Sequence, residues 1–361
     1  MMVFWLMVSV GAVVQLARWA MYRLSGRRAG RCDPHIPPPP WPAQRVSFLV
    51  AGWNAAEELP AFLRAYVALS CPGRELVLAV GGGDGSFELA AAFQQDHPEA
   101  NVRLCRQLPS MGKQGALRAA WPLVTGEIVF LTDVDCRLTD DAVARLVHHV
   151  AAGADAATGT IQPWREQLAV GFVRTQWAIL RATHRANLRP ATGLTGANTA
   201  VARTAIVQAG AFVWEAPSGT DYTLAKQLLA VGLTIWCDAL SEMPTKFPDR
   251  FASYLGKQAR WLKNVWVFGR RYHAEGDVRA VLATLAVPWV MLGLLVWGYW
   301  WVGAWGIGLA LAGEAVGRRV YYLVRARQPL CLGAVAVSVV ADWLAAGLAC
   351  RQMLTHDWRW T

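Results

Sequence analysis

Apolar residues are distributed along this chain in two ways. Long, nearly uncharged runs occupy its ends: Val3 to Trp19, Val281 to Gly317 and Leu330 to Cys350, interrupted only by Gln15, Arg18, Glu314 and Asp342. Between them, from about Gln44, short apolar runs of strand length alternate with segments of helical period. Runs near or above ~18 apolar residues predict membrane-spanning helices. The ends therefore predict an anchor over 1–22, a transmembrane hairpin over 278–317 turning at the Trp and Gly cluster Trp297 to Gly303, with a single long, tilted or kinked helix as the alternative, and a last span over 330–350.

The middle predicts a different architecture. Strands are expected at Val46–Val50, Glu75–Val80, Asn101–Cys105, Glu127–Leu131 and Ala156–Ile161, with helices at Ala55–Leu69, Ser86–Gln95, Gln114–Trp121, Asp140–Ala152 and Tyr222–Ala230. Strands alternating with helices imply an α/β fold with a mostly parallel sheet covered on both faces. Leu168 to Leu188 mixes Phe172, Trp177 and Ile179 with Arg174, Arg181 and Arg185, which fits an amphipathic surface helix. The resulting division is an anchor (1–22), a basic and Pro-rich linker (23–43), an α/β domain (44–250), an interfacial helix region (251–277), the hairpin (278–317), a basic loop (318–329), the last span (330–350) and a tail (351–361).

Composition sharpens the membrane reading. The chain has 361 residues, 55% hydrophobic and 17% charged, with a net charge of +10. The positive residues cluster beside the apolar segments, at Arg23 to Arg31, Arg270 to Arg279 and Arg318 to Arg327, and basic flanks mark the cytoplasmic side. One span before the middle region and three after it would place every cluster on that side. The excess charge thus needs no nucleic acid as partner. Seven cysteines carry no Cys-x-x-Cys spacing, so neither a zinc site nor a disulfide framework is indicated, and the pair His148-His149 is expected at the surface of a helix.

Candidate chemistry gathers where parallel strands end, because ligands of such sheets bind at the carboxyl edge. Asn54, Asp84, Asp133 and Asp135 all follow predicted strands. Asp133 and Asp135 flank Val134, and paired carboxylates suit Mg2+ or Mn2+ whose shell is completed by substrate phosphates. Gly193 to Asn198 is a loop of small residues, and Asp221 begins a helix, where an N-cap role is the usual one. Gln258, Arg260 and Trp261 lie in a basic, aromatic segment before the hairpin; Trp offers a flat stacking face and Arg a bidentate fork for a diphosphate.

Taken in order, the Asn54 loop, Asp84, Gly112-Lys113, Asp133-Val134-Asp135, Gly196-Ala197-Asn198, Asp221 and Gln258-x-x-Arg260-Trp261 resemble a membrane-bound family 2 glycosyltransferase with a GT-A fold. The branch resembled is that of ceramide glucosyltransferase and the cellulose and hyaluronan synthases, over about Val46 to Asn264. The resemblance implies inverting, metal-dependent transfer of a sugar from a nucleotide diphosphate donor, a UDP-sugar, to a membrane lipid at the cytoplasmic face of a bacterial plasma membrane. It implies Asp221 as general base, and Asp135, assisted by Asp133, on the metal. Asn54, Asp84 and Lys113 would line the nucleotide pocket, and Gln258, Arg260 and Trp261 would hold the diphosphate and close the acceptor side. Relatives usually carry Pro-x-Tyr-Asn-Glu after the first strand and Asp-Asp-Gly-Ser after the second, where this chain has Ala51-Gly52-Trp53-Asn54-Ala55 and Gly81-Gly82-Gly83-Asp84. The alternatives are a processive polysaccharide synthase and a non-catalytic membrane scaffold.

Overall fold

A computed structural model describes residues 37–186, 191–213, 219–298 and 302–355. The predicted anchor 1–22, most of the basic linker, the centre of the Trp and Gly cluster and the end of the tail lie outside the described residues. The described chain forms two compact units: a sheet unit from residues up to 164 and from 191 to 246, and a helical unit from 165–186 and from 247 onward.

The sheet unit carries seven strands in the order β3-β2-β1-β4-β6-β5-β7. These are β1 Val46–Trp53, β2 Glu75–Gly81, β3 Val102–Arg106, β4 Ile128–Asp133, β5 Ala156–Pro163, β6 Thr199–Ala202 and β7 Ile235–Thr245. All neighbours pair parallel except β6, which runs antiparallel between β4 and β5. Strands β1, β2 and β4 read as nearly unbroken apolar runs because both their faces are covered, whereas the edge strand β3 carries Arg103 and Arg106 and is only partly buried. Phe48 of β1 stacks on Tyr66 and Phe130 at the centre of this core. The helices of this unit are α1 Leu59–Ala68, α2 Ser86–Asp96, α3 Gly112–Ala120 and α4 Asp140–Ala151. After α5 Gly171–Ala186, which belongs to the helical unit, α6 Arg203–Gln208 and α7 Thr220–Ala230 complete the set.

Several expectations are corrected. Helix α1 starts at Leu59, not Ala55, with Pro60 in its first turn; proline lacks an N–H and is at home only there, so Glu57 and Glu58 precede the helix. Strands β6 and β7 carry no element in the sequence reading. The first is only four residues long, and the second alternates buried with more exposed positions over Ile235–Thr245. Asp221 is not an N-cap. Gly219, with φ 71°, takes that position and Asp221 lies inside the first turn of α7. Of the His pair, His148 is exposed but His149 is partly buried, its Nε2 3.0 Å from Asp238 Oδ2.

The helical unit contains α5 Gly171–Ala186, α8 Phe251–Arg271, α9 Glu275–Gly298, α10 Val302–Arg325 and α11 Leu332–Leu354. Gly171 lets α5 approach the start of α11, since a Cβ there would meet that of Ala334 at 3.1 Å. Gln167 ties the entry of α5 to that of α8 by accepting from Phe247 N at 2.9 Å and donating to Phe247 O at 2.8 Å. Among the described residues one helix, Leu332–Leu354, is long and apolar enough to cross a membrane.

Candidate active site

The site is built at the carboxyl edge of β4. Asp133 ends the strand, and the chain turns at once, Cys136 N donating to Asp133 O at 3.1 Å. Val134 packs onto β1, where a Cβ added to Gly52 would come within 2.9 Å of its Cγ1. That apolar contact pins the turn between the two acids. Backbone bonds to the end of β7 then hold the second one: Arg137 N donates to Pro244 O at 2.8 Å and Lys246 N to Asp135 O at 3.2 Å. Thr245 Oγ1 donates to Asp135 Oδ1 at 3.1 Å. Burial, with Asp135 and Asp133 beside it, pushes the Cys136 thiol far up, so it faces Asp135 as a neutral group.

A lysine stands among the carboxylates. Lys113, in the first turn of α3, forms an ion pair with Asp133. Burial alone would draw its ammonium down, but Asp133, with Asp221 and Asp135, outweighs that and holds its pKa above the ordinary lysine value. Three of the acids named from the sequence therefore act on one partly buried lysine.

Asp221 is seated by the loop before β6. Gly196 lies so close to it that an added Cβ would meet Asp221 Cβ and Oδ2 at 3.1 Å. Next in sequence, Ala197 O accepts from Thr132 Oγ1 of β4 at 3.0 Å. Asn198, fully buried, donates to Thr160 O at 2.9 Å and to Ser241 Oγ at 2.9 Å. The Gly-Ala-Asn triplet thus ties α7, β4, β5 and β7 together through one residue each. Asp221 also accepts from Tyr222 N at 2.9 Å.

Asn54 and Asp84 are engaged with each other's loops. Asn54, at φ 51°, accepts from Gly83 N through Oδ1 at 2.9 Å. Asp84 Oδ2 accepts from Ala56 N at 2.9 Å, while its Oδ1 accepts from Ser86 Oγ at 2.6 Å and Ser86 N at 3.1 Å. The Ser86 hydroxyl and these amides hold the Asp84 carboxyl below its usual range. Each residue reaches into the other's loop, so together they lace the loops after β1 and β2 at the edge of the sheet.

Sequence reasoning missed Thr245 and the pairing of Lys246 with Glu58 at 2.6 Å, both beside the site. Neither stands in a motif; only the course of β7 and the loop after β1 brings them there. Gln258, Arg260 and Trp261 belong to the helical unit, on α8, with Trp261 exposed.

The donor set suits a hard divalent cation. Asp133 and Asp135 supply carboxylate oxygens, and among the described residues no group of three or more His, Cys, Asp and Glu could cage an ion. A cation on this pair would complete its shell with water and substrate phosphate.

Residues 42–264 match the model of the family described as glycosyltransferase like family 2. The chain belongs to this family. Among curated relatives, undecaprenyl-phosphate 4-deoxy-4-formamido-L-arabinose transferases of Yersinia pestis and Yersinia pseudotuberculosis are 28% identical over 129 residues, 35% of this chain and 39% of theirs. The glycosyltransferase thus spans about two-fifths of the length of these relatives. A solved mannosyltransferase of Pyrobaculum calidifontis, in complex with GDP-Man and Mn2+, is similar in fold at a TM-score of 0.65 and 19% identity, covering 97% of this chain and 99% of that one. The glycosyltransferase therefore has the α/β fold, with a mostly parallel mixed sheet, of GT-A enzymes.

Proposed function

We propose that this glycosyltransferase moves a sugar, with inversion, from a nucleotide diphosphate donor to a lipid acceptor at the cytoplasmic face of a membrane. The observation that carries the reading is the arrangement around Lys113: a carboxylate pair at the end of β4 and a separate carboxylate, Asp221, seated on the Gly196 loop. The pair suits a metal-bound diphosphate, and the separate acid suits proton transfer.

In this scheme Asp135 and Asp133 hold Mg2+ or Mn2+, and a bound cation of this kind stabilises charge on the leaving diphosphate. Lys113 adds positive charge on the same side. Asp221 takes the proton from an acceptor hydroxyl as its oxygen attacks the anomeric carbon and the bond to the diphosphate breaks. Asn54 and Asp84 shape the nucleotide pocket by lacing its loops. The resemblance supports Gln258, Arg260 and Trp261 as the residues of the diphosphate and acceptor side.

A lipid acceptor is supported by the apolar outer face of the helical unit. On α11 the large apolar residues Val337, Val340 and Leu344 are exposed, while Ser338, Ala341, Ala345 and Ala349 are buried together with Val335 and Val339. Large apolar groups on the outer face match a helix surrounded by lipid. The names of the Yersinia relatives, which act on a polyprenyl phosphate, and the GDP-Man and Mn2+ of the Pyrobaculum structure support the same class of acceptor, donor and ion.

The test is mass spectrometry of lipids after the membrane-embedded protein is incubated with UDP- and GDP-sugars and Mn2+. A lipid heavier by one sugar, lost on chelation, is the expected product. A polymer would favour a polysaccharide synthase instead, and no product with any donor would favour a scaffold.

A further inference from the structure

Asp342 is the only charged residue between Leu330 and Cys350. A lone acid in so apolar a helix is costly unless it is paired, and such residues are a sign of a designed contact. In the structure Asp342 has two partners from two other helices. Its Oδ2 pairs with Arg319 of α10, and its Oδ1 accepts from the Tyr254 hydroxyl of α8. Arg319 is itself buried and fully engaged: Nε donates to Ser338 Oγ at 3.1 Å and Nη1 to Ala315 O at 2.9 Å. Tyr254 is buried, with the Phe172 ring of α5 edge-on at 5.1 Å. A polar node thus joins α8, α10 and α11.

Tyr254 lies on the helix that carries Gln258-x-x-Arg260-Trp261. Residues four and seven positions apart share a helix face, so Tyr254, Gln258 and Trp261 form one stripe along α8. A directional hydrogen bond at the head of that stripe fixes both the rotation and the axial position of the helix. Apolar packing alone permits small slides, because dispersion contacts are non-directional.

We propose that the node of Tyr254, Asp342 and Arg319 is the positioning device for the Gln258 and Trp261 face of α8, and that sugar transfer depends on it although none of its three residues touches substrate. The inference rests on the glycosyltransferase reading above, in which that face serves the diphosphate and acceptor.

The test uses the full chain in lipid nanodiscs, as wild type, as Tyr254→Phe and as the double variant Arg319→Met with Asp342→Leu. Replacing a buried ion pair by apolar residues of similar size is commonly neutral or stabilising. The double variant is therefore expected to match the wild type in thermal stability. Amide exchange over 251–264 is nevertheless expected to quicken by roughly tenfold or more, as the helix loses its tether. Transfer from UDP- and GDP-sugars to a lipid extract should fall by roughly 10²-fold in kcat, the scale of an ångström of misplacement. Tyr254→Phe, which removes one oxygen, should show both effects and decides the matter if the double variant does not fold. A purely structural node predicts that restored stability restores kcat, and that outcome overturns the proposal, as does unchanged exchange over 251–264. Should the wild type transfer no sugar, the functional reading falls, while the exchange measurement still decides whether the node tethers α8.

Discussion

A Cβ placed on Gly196 would stand 3.1 Å from the Oδ2 of Asp221, closer than the neighbouring carboxylate can accommodate without moving. The loop before β6 therefore sets where this acid points. Gly196→Ala should push Asp221 aside and lower kcat by roughly 10²-fold with donor affinity unchanged, since small misplacements of a reacting group are that costly. Steady-state kinetics beside calorimetric binding of the donor nucleotide separates the two quantities.

Asp221→Asn should keep the seat but lose the base. For an acceptor hydroxyl the expected loss in kcat is about 10²–10⁴-fold, the usual worth of a positioned acid or base. A lipid phosphate needs no such proton removal, because its attacking oxygen is already ionised. A loss well under tenfold would therefore point to that class of acceptor, and comparison of a lipid alcohol with a lipid phosphate checks it.

The two acids of β4 should respond differently to substitution. Asp135 is held by Thr245 and the end of β7, whereas Asp133 shares its charge with Lys113. Asp135→Ala is expected to abolish the Mn2+ dependence of UDP or GDP binding. Asp133→Ala should weaken it by roughly tenfold, because one carboxylate remains and Lys113 is freed to face the diphosphate. Metal titration by calorimetry at fixed nucleotide distinguishes the variants.

Gly82, at φ 128°, leaves no room beside Asn54: an added Cβ would meet Asn54 Oδ1 at 2.1 Å. Gly82→Ala should unlace the loops after β1 and β2 and cost about 2 kcal/mol, the range for a strained backbone position. Asp84→Ala, which removes the acceptor of Ala56 N and Ser86 N, should cost about 1 kcal/mol. Thermal denaturation measures both, and nucleotide affinity should fall in parallel.

At the opposite edge of the sheet, Glu75 is buried among donors. It accepts from Ser47 Oγ at 2.5 Å, Thr125 N at 2.6 Å and Thr125 Oγ1 at 2.9 Å, with Arg103 3.5 Å away. Burial would raise its pKa, but the Ser47 and Thr125 hydrogen bonds and the Arg103 charge outweigh it and hold the carboxyl below its usual range. A depressed folded pKa stabilises the protein above the unfolded value, near 4.3 for glutamate, and that stability is lost as pH falls through the folded value. Glu75→Gln should be less stable at neutral pH and show a flatter loss of stability below about pH 4, as acid titration followed by circular dichroism would reveal.

Much of the sheet was legible because parallel strands covered on both faces write themselves as apolar runs. Val46 to Val50, Glu75 to Val80 and Glu127 to Leu131 are such runs, and each is closely matched by a strand. Asp133 and Asp135 were legible as a pair because two residues apart at the end of a strand is a local pattern. Strand β6 was not, being four residues long and antiparallel among parallel neighbours. Its pairing is decided by the partners on either side and not by its own composition.

By itself the sequence determined the alternation of the first five strands with their helices, the acid pair after the fourth strand and the apolar ends, since these depend on patterns a few residues long. Only the tertiary structure decided that Asp133, Asp135 and Asp221 act on one lysine, and that Thr245 reaches Asp135 across 110 positions. It alone turned Asn54 and Asp84 into a lacing between loops and gave Asp342 its partners on α8 and α10. Such contacts join distant segments through space, and a pairing fixed by packing and sheet order leaves no local trace in either segment.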